Sequence, residues 1–371
     1  MYRVVVLVAF GIVASQGGVV EQELLGQIVS PEVHADRTIT FRLKAPQADT
    51  VLVQGLAGME PQPLTKSAGG VWEVTVGPLA PELYSYTFSV DGAVVTDPHN
   101  RHVKKWLTVD SLVEVPGDPP LLHEQQRVPH GVVHHHVYDS HTAGCQRGVY
   151  VYTPPAYRAD GTQRYPLLVL LHGYGDDESA WLEAGRAHWI ADNLIAQGQV
   201  VPLVIAMPYG HPLPLPRSGS FDDYATPNRL AMEEDLLQDL VPLLESAYLL
   251  EHDRTYRAIA GLSMGGGQSL HIGLKHLDRF AWIAGFSSAT PVGDMDREYA
   301  SLLEQVSATN DRLKLLWVGC GKDDFLLERN ERFRVWLADK GIRHVYRLTA
   351  GGHEWAVWRK YLAEVLPQLF R

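Results

Sequence analysis

The chain has 371 residues, of which 46% are hydrophobic and 20% are charged, and its formal net charge is −11. This composition is that of an ordinary soluble globular protein, and the length favours two domains over one. An acidic surface repels nucleic acids and anionic membranes, so neither is expected as a partner, whereas a neutral or carbohydrate partner is easier to accommodate.

The N-terminus predicts a signal peptide over residues 1–18. One basic residue, Arg3, precedes an apolar run at 4–14, and small and polar residues follow. Eleven apolar residues are too few to cross a bilayer, which needs about 20, but they suit the core of a secretory signal. We therefore expect a secreted or periplasmic protein with no membrane segment after cleavage; the alternative is a buried first strand.

Residues 30–115 predict a small all-β sandwich. The predicted strands are 38–43, 50–54, 71–76, 83–90 and 93–96. Asp91-Gly92 separates the last two and is a strong signal for a tight hairpin. No long helical pattern intervenes, so a sandwich is the economical interpretation. Aromatic residues such as Trp72 either fill its core or stack on sugar rings.

Three segments of this region, 39–46, 70–77 and 84–92, resemble the glycogen-binding early-set sandwich, a carbohydrate-binding module of the family 48 type. The resemblance implies a fold more firmly than it implies starch binding. A Pro- and Gly-rich stretch then predicts a linker over 116–130. His134, His135 and His136 follow the linker. Consecutive strand residues point to opposite faces, which favours a polar edge strand over a metal site.

Residues 131–371 alternate between strand and helix patterns, which predicts a mainly parallel sheet with helices on both sides. The predicted strands are 166–171, 201–207, 255–260, 282–287, 313–319 and 345–348, and the predicted helices are 187–197, 229–248, 268–275, 326–340 and 354–369. Residues 167–171 are apolar throughout, as expected of a strand that is covered on both faces. Cys145 and Cys320 belong to distant predicted strands and are expected to be free thiols.

A G-x-S-x-G motif at 261–265 lies between a predicted strand and a predicted helix. This arrangement is typical of the nucleophile elbow of α/β-hydrolases, which presents a serine on a strained turn. Gly261 and Gly265 suit that turn because a Cβ at either flank would collide with the strand or the helix. The motif predicts Ser263 as a nucleophile.

A serine nucleophile requires a base and a carboxylate that orients the base. In α/β-hydrolases these follow the serine in the order acid, then histidine. His353 follows the last predicted strand and is the expected base. Asp323 and Asp324 both follow the preceding strand, and only one of them can face His353. We favour Asp324, with Asp323 solvated or capping the next helix.

The oxyanion of the tetrahedral intermediate needs two backbone N–H donors. Met264, directly after the nucleophile, supplies one. The segment 172–175 (HGYG) follows an apolar strand and supplies the other, through Tyr174 in our interpretation. The glycines beside Tyr174 allow its backbone to approach a substrate closely.

Six segments together resemble the feruloyl esterases of the first carbohydrate-esterase family, which are related to enterochelin esterases. They are 171–175, Trp181, 190–196, 258–268, 319–325 and 351–355. The resemblance implies an α/β-hydrolase fold and the same roles for Ser263, His353, Asp324, Tyr174 and Met264. It also implies hydrolysis of hydroxycinnamate esters on plant arabinoxylan or feruloylated oligosaccharides, without a cofactor or a metal.

Several alternatives stay open at this point. Acetyl-xylan esterases and siderophore trilactone esterases share the core motifs, and a carbohydrate-binding protein can retain a hydrolase fold without activity. The irregular loop expected at 211–228 contains only Arg217 as a fixed cation, which disfavours a trianionic siderophore substrate. Trp181 and Trp355 either stack on a phenolic ring or pack in the core.

Overall fold

The computed structural model describes residues 28–56 and 58–371. The predicted signal peptide lies outside the described residues. Within these ranges, every helix is too short or too polar to cross a membrane. The chain divides into two compact units. The first comprises the described residues up to Leu79 together with Thr87–Arg101, and the second comprises Ala80–Tyr86 together with His102–Arg371.

The first unit is the predicted β-sandwich, built from short antiparallel strands. Its strands are β1 (Glu32–Val33), β2 (Ile39–Lys44), β3 (Val51–Gln54), β4 (Gln62–Pro63), β5 (Thr65–Lys66), β6 (Val71–Val76), β7 (Glu82–Val90, of which Thr87–Val90 belong to this unit) and β8 (Ala93–Val95). One sheet has the order β1-β2-β6-β5, and β4, β3, β7 and β8 belong to a second sheet. Phe41 and Phe88 meet edge to face at 6.4 Å and are fully buried.

The predicted tight hairpin of the sandwich is confirmed, and the structure decides between the two alternatives for Trp72. Asp91 and Gly92, with φ of 48° and 87°, form the turn between β7 and β8, because a tight hairpin requires positive φ at both central positions. Trp72 is 6% exposed and its indole N–H donates to the Ala45 carbonyl, so it belongs to the core. Strands β1, β4 and β5 have no clear pattern in the sequence because each is only two residues long.

The second unit contains an eight-stranded, mainly parallel sheet, which confirms the predicted fold class. It also contains a hairpin of β9 (Val103–Lys105) and β10 (Val109–Val115), which the sequence did not predict. The large sheet comprises β11 (Val132–Ser140), β12 (Cys145–Thr153), β13 (Leu167–Leu171), β14 (Val204–Pro208), β15 (Arg257–Leu262), β16 (Trp282–Phe286), β17 (Leu315–Gly321) and β18 (Val345–Thr349). Their order is β11-β12-β14-β13-β15-β16-β17-β18. Strand β12 pairs antiparallel with both β11 and β14, and the other neighbouring strands pair parallel.

Helices cover both faces of this sheet. They are α1 (Ala180–Glu183), α2 (Ala187–Ala196), α3 (Phe221–Glu234), which continues through a π-helical turn (Asp235–Leu240) into α4 (Val241–Ala247), α5 (Ser263–Lys275), α6 (Met295–Glu298), α7 (Ala300–Leu303), α8 (Val306–Arg312), α9 (Leu327–Asp339) and α10 (Trp355–Val365), with 3-10 turns at Arg254–Tyr256 and Leu366–Gln368. Leu167, Val169 and Leu171 belong to one core layer, and Leu168 and Leu170 to the other. This alternation explains why β13 is apolar at every position.

Three further sequence predictions can be compared with the structure. Residues 116–130 contain neither helix nor strand. The histidine run 134–136 lies on β11, at the edge of the sheet. Cys145 begins β12 and Cys320 lies in β17, with four strands between them, and both are free thiols as predicted.

The prediction for 211–228 was wrong in its second half. Helix α3 begins at Phe221 because the Ser220 side chain accepts the Asp223 N–H as an N-cap and two aspartates follow in the first turn. Pro227 inside this helix obscured the pattern, since proline usually ends a helix. The segment is therefore partly rigid.

Candidate active site

Ser263 lies at the junction of β15 and α5, where the chain turns sharply from strand to helix. Its φ is +52°, a left-handed conformation that an L-residue adopts only under constraint. The two glycines of the motif are sterically required. A Cβ on Gly261 would lie 2.4 Å from the Gly265 carbonyl oxygen, and one on Gly265 would lie 2.3 Å from the His172 carbonyl oxygen. The backbone therefore fixes the serine at the carboxyl edge of the sheet.

Ser263, His353 and Asp324 form one hydrogen-bonded chain. The His353 Nε2 atom lies 2.9 Å from the Ser263 Oγ, and its Nδ1 atom lies 3.0 Å from both carboxylate oxygens of Asp324. Since a carboxylate only accepts hydrogen bonds, Nδ1–H is the donor to Asp324 and Nε2 accepts the serine hydroxyl. This tautomer leaves Nε2 able to take the serine proton.

Asp324 is the aspartate that the structure brings to His353. Its carboxylate has no exposed surface, whereas Asp323 next to it is exposed. Burial raises the pKa of Asp324, whereas hydrogen bonds from His353 and Ser287 lower it. The lowering effects together are larger, so the pKa lies below its ordinary value. The carboxylate also accepts the Leu326 N–H at 2.8 Å, so Asp324, rather than Asp323, binds the backbone before α9.

Tyr174 and Met264 lie on the two backbone segments that flank the serine. Met264 is the second residue of α5, so its N–H has no carbonyl one turn earlier in the helix to bind. Tyr174 lies in the loop after β13. In that loop, a Cβ on Gly173 would lie 3.5 Å from the Ser263 Cβ, so the loop passes close to the serine. Both segments therefore lie beside the serine.

Two buried histidines hold the loop around Tyr174. His172 Nδ1–H donates to the Gly173 carbonyl at 2.8 Å, and His172 Nε2 accepts the Gly210 N–H at 2.7 Å. His211 Nε2 accepts the Gly175 N–H at 3.1 Å. Burial lowers the pKa of His172, and it lowers the pKa of His211 to about 2. Both rings are therefore neutral at physiological pH and supply the acceptors that these N–H groups need.

The β9–β10 hairpin of the same unit also supports this loop. The buried ion pair of Lys104 with Asp176 has an N–O distance of 2.6 Å, and the Trp106 indole N–H donates to the Tyr174 carbonyl at 2.9 Å. A Cβ on Gly175 would lie 2.8 Å from the Trp106 ring, so only glycine fits beneath it. The Tyr174 carbonyl therefore already has a hydrogen-bond donor, the Trp106 indole N–H.

The two candidate tryptophans have different environments. Trp181 is 1% exposed, and its indole N–H donates to the Leu171 carbonyl at 3.0 Å, so it packs in the core. Trp355 is half-buried and meets Trp181 edge to face at 5.2 Å. The core alternative therefore describes Trp181, whereas Trp355 is only partly buried.

Comparison with known proteins identifies the family. A family model described as “Putative esterase” matches residues 140–369. The chain belongs to this esterase family. It is thus a carboxylic ester hydrolase with an α/β-hydrolase-like fold, and the elbow and the His–Asp pair described above lie within the matched residues.

Individual relatives of the esterase share a modest fraction of its sequence. It is 29% identical over 348 residues to an endo-1,4-beta-xylanase/feruloyl esterase of Xylanibacter ruminicola, covering 92% of this chain and 46% of that protein. The chain thus spans less than half the length of that relative. A solved ferulic acid esterase is 28% identical with a TM-score of 0.54, covering 64% of this chain and 97% of its own.

One structural neighbour extends over both units of the esterase. The enterobactin esterase of Shigella flexneri, solved with enterobactin present, has a TM-score of 0.63 and covers 90% of this chain and 92% of its own. At 20% identity this likeness concerns the fold alone.

Several residues of the esterase site were not identified from the sequence. Ser287 has a φ of +45° and accepts the Trp358 indole N–H at 3.1 Å while it hydrogen-bonds Asp324. Ser287 directly follows β16 and His211 soon follows β14, so their position at the carboxyl ends of parallel strands was the available signal. Trp106 had no such signal, because its hydrogen-bond partner is 68 residues away.

Proposed function

We propose that this esterase hydrolyses feruloyl and related hydroxycinnamate esters of plant cell-wall arabinoxylan by a Ser–His–Asp acyl-enzyme mechanism. The observation that carries the mechanism is the continuous hydrogen-bonded chain Ser263–His353–Asp324. Relatives named as feruloyl esterases at 28% and 29% identity support the acyl group.

In the first half-reaction, Ser263 Oγ attacks the ester carbonyl carbon as His353 Nε2 takes its proton. The resulting oxyanion accepts the N–H groups of Met264 and Tyr174, which stabilise it because the donors are in place before charge develops. His353 then gives the proton to the alcohol oxygen, the C–O bond breaks and the acyl-enzyme remains. Asp324 holds the tautomer and stabilises the imidazolium.

In the second half-reaction, water attacks the acyl-enzyme carbonyl with His353 as the base. The proton returns to Ser263 Oγ as the acid leaves. Every proton transfer uses the same Nε2 atom, so no cofactor is required. This mechanism applies to any acyl group, and substrate selectivity must therefore come from the surrounding surface.

That surface favours a flat, uncharged aromatic acyl group. The Tyr174 ring meets Phe221, Tyr224 and His211 edge to face, at centroid distances of 5.3 to 5.8 Å. A phenolic ring gains dispersion and quadrupole contacts beside such rings. Asp222, next to Phe221, is paired with both terminal nitrogens of Arg329, so neither adds net charge there.

The other sequence-based proposals accompany this function. We infer export through the signal peptide at 1–18, and a carbohydrate-binding-module-like role for the sandwich within 30–115. The linker at 116–130 then leads into an esterase domain at 131–371. The plant cell-wall polysaccharide is the proposed partner. The esterase proposal does not depend on whether the sandwich within 30–115 binds sugar.

A substrate panel tests the proposed function. Methyl ferulate, feruloylated arabinoxylan fragments, acetylated xylan and enterobactin are compared at equal enzyme concentration, with products measured by chromatography and Ser263→Ala as the blank. We expect both feruloyl substrates to be hydrolysed fastest. Faster release from acetyl esters or from enterobactin would replace the proposed acyl group, and no turnover of any ester would support a binding protein instead.

A further inference from the structure

Phe325 is the most exposed large apolar side chain in the described part of the chain, at 76% of its full accessibility. It follows Asp324 directly, and its ring centroid lies 4.4 Å from that of His353. A phenylalanine left in water forgoes the free energy that burying its apolar ring would provide. An exposed ring against the proposed base therefore offers an apolar surface that a ligand can cover.

The turn that carries Phe325 is firmly anchored. The Lys322 N–H donates to the Thr349 carbonyl at 2.8 Å, and the Asp323 N–H donates to the Gly351 carbonyl at 3.1 Å. On the other side, the Leu326 N–H is bound by the Asp324 carboxylate. The exposure of Phe325 is thus set by backbone contacts on both sides, not by a loosely attached loop.

The direction of proton transfer decides which part of a substrate meets this ring. His353 Nε2 must deliver its proton to the alcohol oxygen of the ester, so that oxygen lies within hydrogen-bond reach of the imidazole. The carbonyl oxygen points the opposite way, toward the N–H groups of Met264 and Tyr174. The alcohol group therefore leaves the site past His353, where Phe325 lies against the imidazole.

We propose that Phe325 is a specificity residue that binds the alcohol part of the ester, and that its ligand is a sugar ring. This inference deepens the proposed function and rests on it. The face of a phenyl ring carries partial negative charge and attracts the C–H groups of a pyranose or furanose face. The exposed Lys322 and Asp323 next to it offer polar partners for hydroxyl groups. A methyl alcohol is too small to cover the ring.

The test compares two esters with the same acyl group and different alcohols. Values of kcat and KM are measured for methyl ferulate and for a feruloylated arabinose oligosaccharide with wild type, Phe325→Ala and Phe325→Trp. We expect Phe325→Ala to lower kcat/KM for the sugar ester by roughly five- to tenfold, mainly through KM, and for methyl ferulate by about twofold. Phe325→Trp should restore most of the sugar preference.

Tyr256→Ala is the matched control, since Tyr256 is 42% exposed and lies in the 3-10 turn before β15. It should leave both esters unaffected. Equal losses on both esters with Phe325→Ala, or a shifted pH profile of kcat/KM, would mean that Phe325 only supports His353 and would overturn the proposal. A loss that follows the acyl group instead, in a comparison of methyl ferulate with methyl acetate, would also overturn it.

Failure of the proposed function gives a different pattern. If the wild-type enzyme prefers acetyl over feruloyl groups, the same pair of alcohols is compared as acetate esters. A sugar preference that depends on Phe325 would then support the alcohol subsite, although the acyl assignment had failed. If Phe325→Ala left the sugar preference on acetate esters unchanged, or if wild type showed no such preference, the alcohol subsite itself would be refuted.

Discussion

Helix α5 contributes a residue to each of two histidine–carboxylate clusters. The two clusters differ in the groups that contact the histidine nitrogens. At the start of α5, Ser263 contacts His353, whose other nitrogen contacts Asp324. Farther along, His271 is fully buried, with Nε2 2.7 Å from Glu233 and Nδ1 2.8 Å from Glu298. Both nitrogens of His271 are thus occupied by acids, whereas His353 has one acid and one hydroxyl.

This difference shows that pairing with a carboxylate does not by itself identify a catalytic histidine. A general base needs one nitrogen whose lone pair is directed at the proton that it removes. His353 meets that requirement and His271 does not. Glu233 also contacts His276, and Glu298 also contacts Arg229, so the second cluster is a closed ionic network. We expect it to contribute to stability and the first to contribute to turnover.

The largest expected effect concerns Ser263. Ser263→Ala should lower kcat by about 10⁴- to 10⁶-fold, because the three residues act as a unit. Its unfolding midpoint should stay close to wild type, since the strained turn is formed by the backbone. Steady-state hydrolysis of a p-nitrophenyl ester and urea denaturation measure the two quantities. Activity above about a tenth of wild type would refute the nucleophile assignment.

The acid provides the next largest effect. Asp324→Asn should lower kcat by about 10⁴-fold, because an amide in place of the carboxylate favours the wrong imidazole tautomer. Asp323→Asn is the matched control at the adjacent exposed position and should stay within about twofold on a p-nitrophenyl ester, which has no sugar hydroxyl for Asp323 to bind. The reverse ranking of the two variants would transfer the role to Asp323.

The elbow and the alternation of strands and helices were predictable because their causes are local. A Gly-flanked serine between an apolar strand and a helix specifies its own turn, and an apolar run such as β13 specifies a strand covered on both faces. The position after the preceding strand limited the acid to Asp323 or Asp324, and adjacent side chains allow only one of them to face His353. These features depend on residues close together in the sequence.

The surroundings of the site were not predictable because they depend on contacts between distant segments. The support of the Tyr174 loop by Trp106 and His211 joins residues 68 and 36 positions from their hydrogen-bond partners. The cluster around His271 likewise joins α5 to α3 and α6. No periodicity marks such contacts, and an exposed ring such as Phe325 has the same sequence pattern as a buried one.

Mutations in the cluster around His271 should change the free energy of unfolding and leave kcat unchanged. His271→Leu should lower the free energy of unfolding by about 2 kcal/mol, because it removes the buried imidazole that pairs with the partly buried carboxylates of Glu233 and Glu298. His276→Leu, at a partly exposed pair with Glu233, should cost less than about 1 kcal/mol. Urea titrations give both values. A His271→Leu enzyme with normal stability and abolished kcat would place this cluster in the catalytic machinery.

The smallest expected effect is the acid dependence of Glu298. The hydrogen bond from His271 lowers the pKa of Glu298 from 4.5 to about 2, with burial opposing and the Arg229 and Lys275 charges assisting. A carboxyl whose pKa is lower in the folded state stabilises the protein above its unfolded pKa, and that stability is lost as pH falls through the folded pKa. The contribution of Glu298 should therefore be complete above about pH 4.5 and disappear toward pH 2.

Glu298→Gln isolates this contribution from that of Glu233, which titrates in the same network. The variant should be about 1–2 kcal/mol less stable than wild type at pH 7, a value reduced by the partial exposure of the side chain. The two stability curves should converge below pH 4.5. In that range unfolded wild type takes up a proton at Glu298 before folded wild type does, so wild type loses stability, whereas the glutamine of the variant does not titrate. Glu304→Gln, at an exposed position on a nearby turn, should run parallel to wild type. Urea midpoints at half-unit pH steps measure the curves, and a constant gap between Glu298→Gln and wild type would show that Glu298 contributes packing without charge. Unchanged kcat at pH 7 in the folded variant would show that the two clusters on α5 act independently.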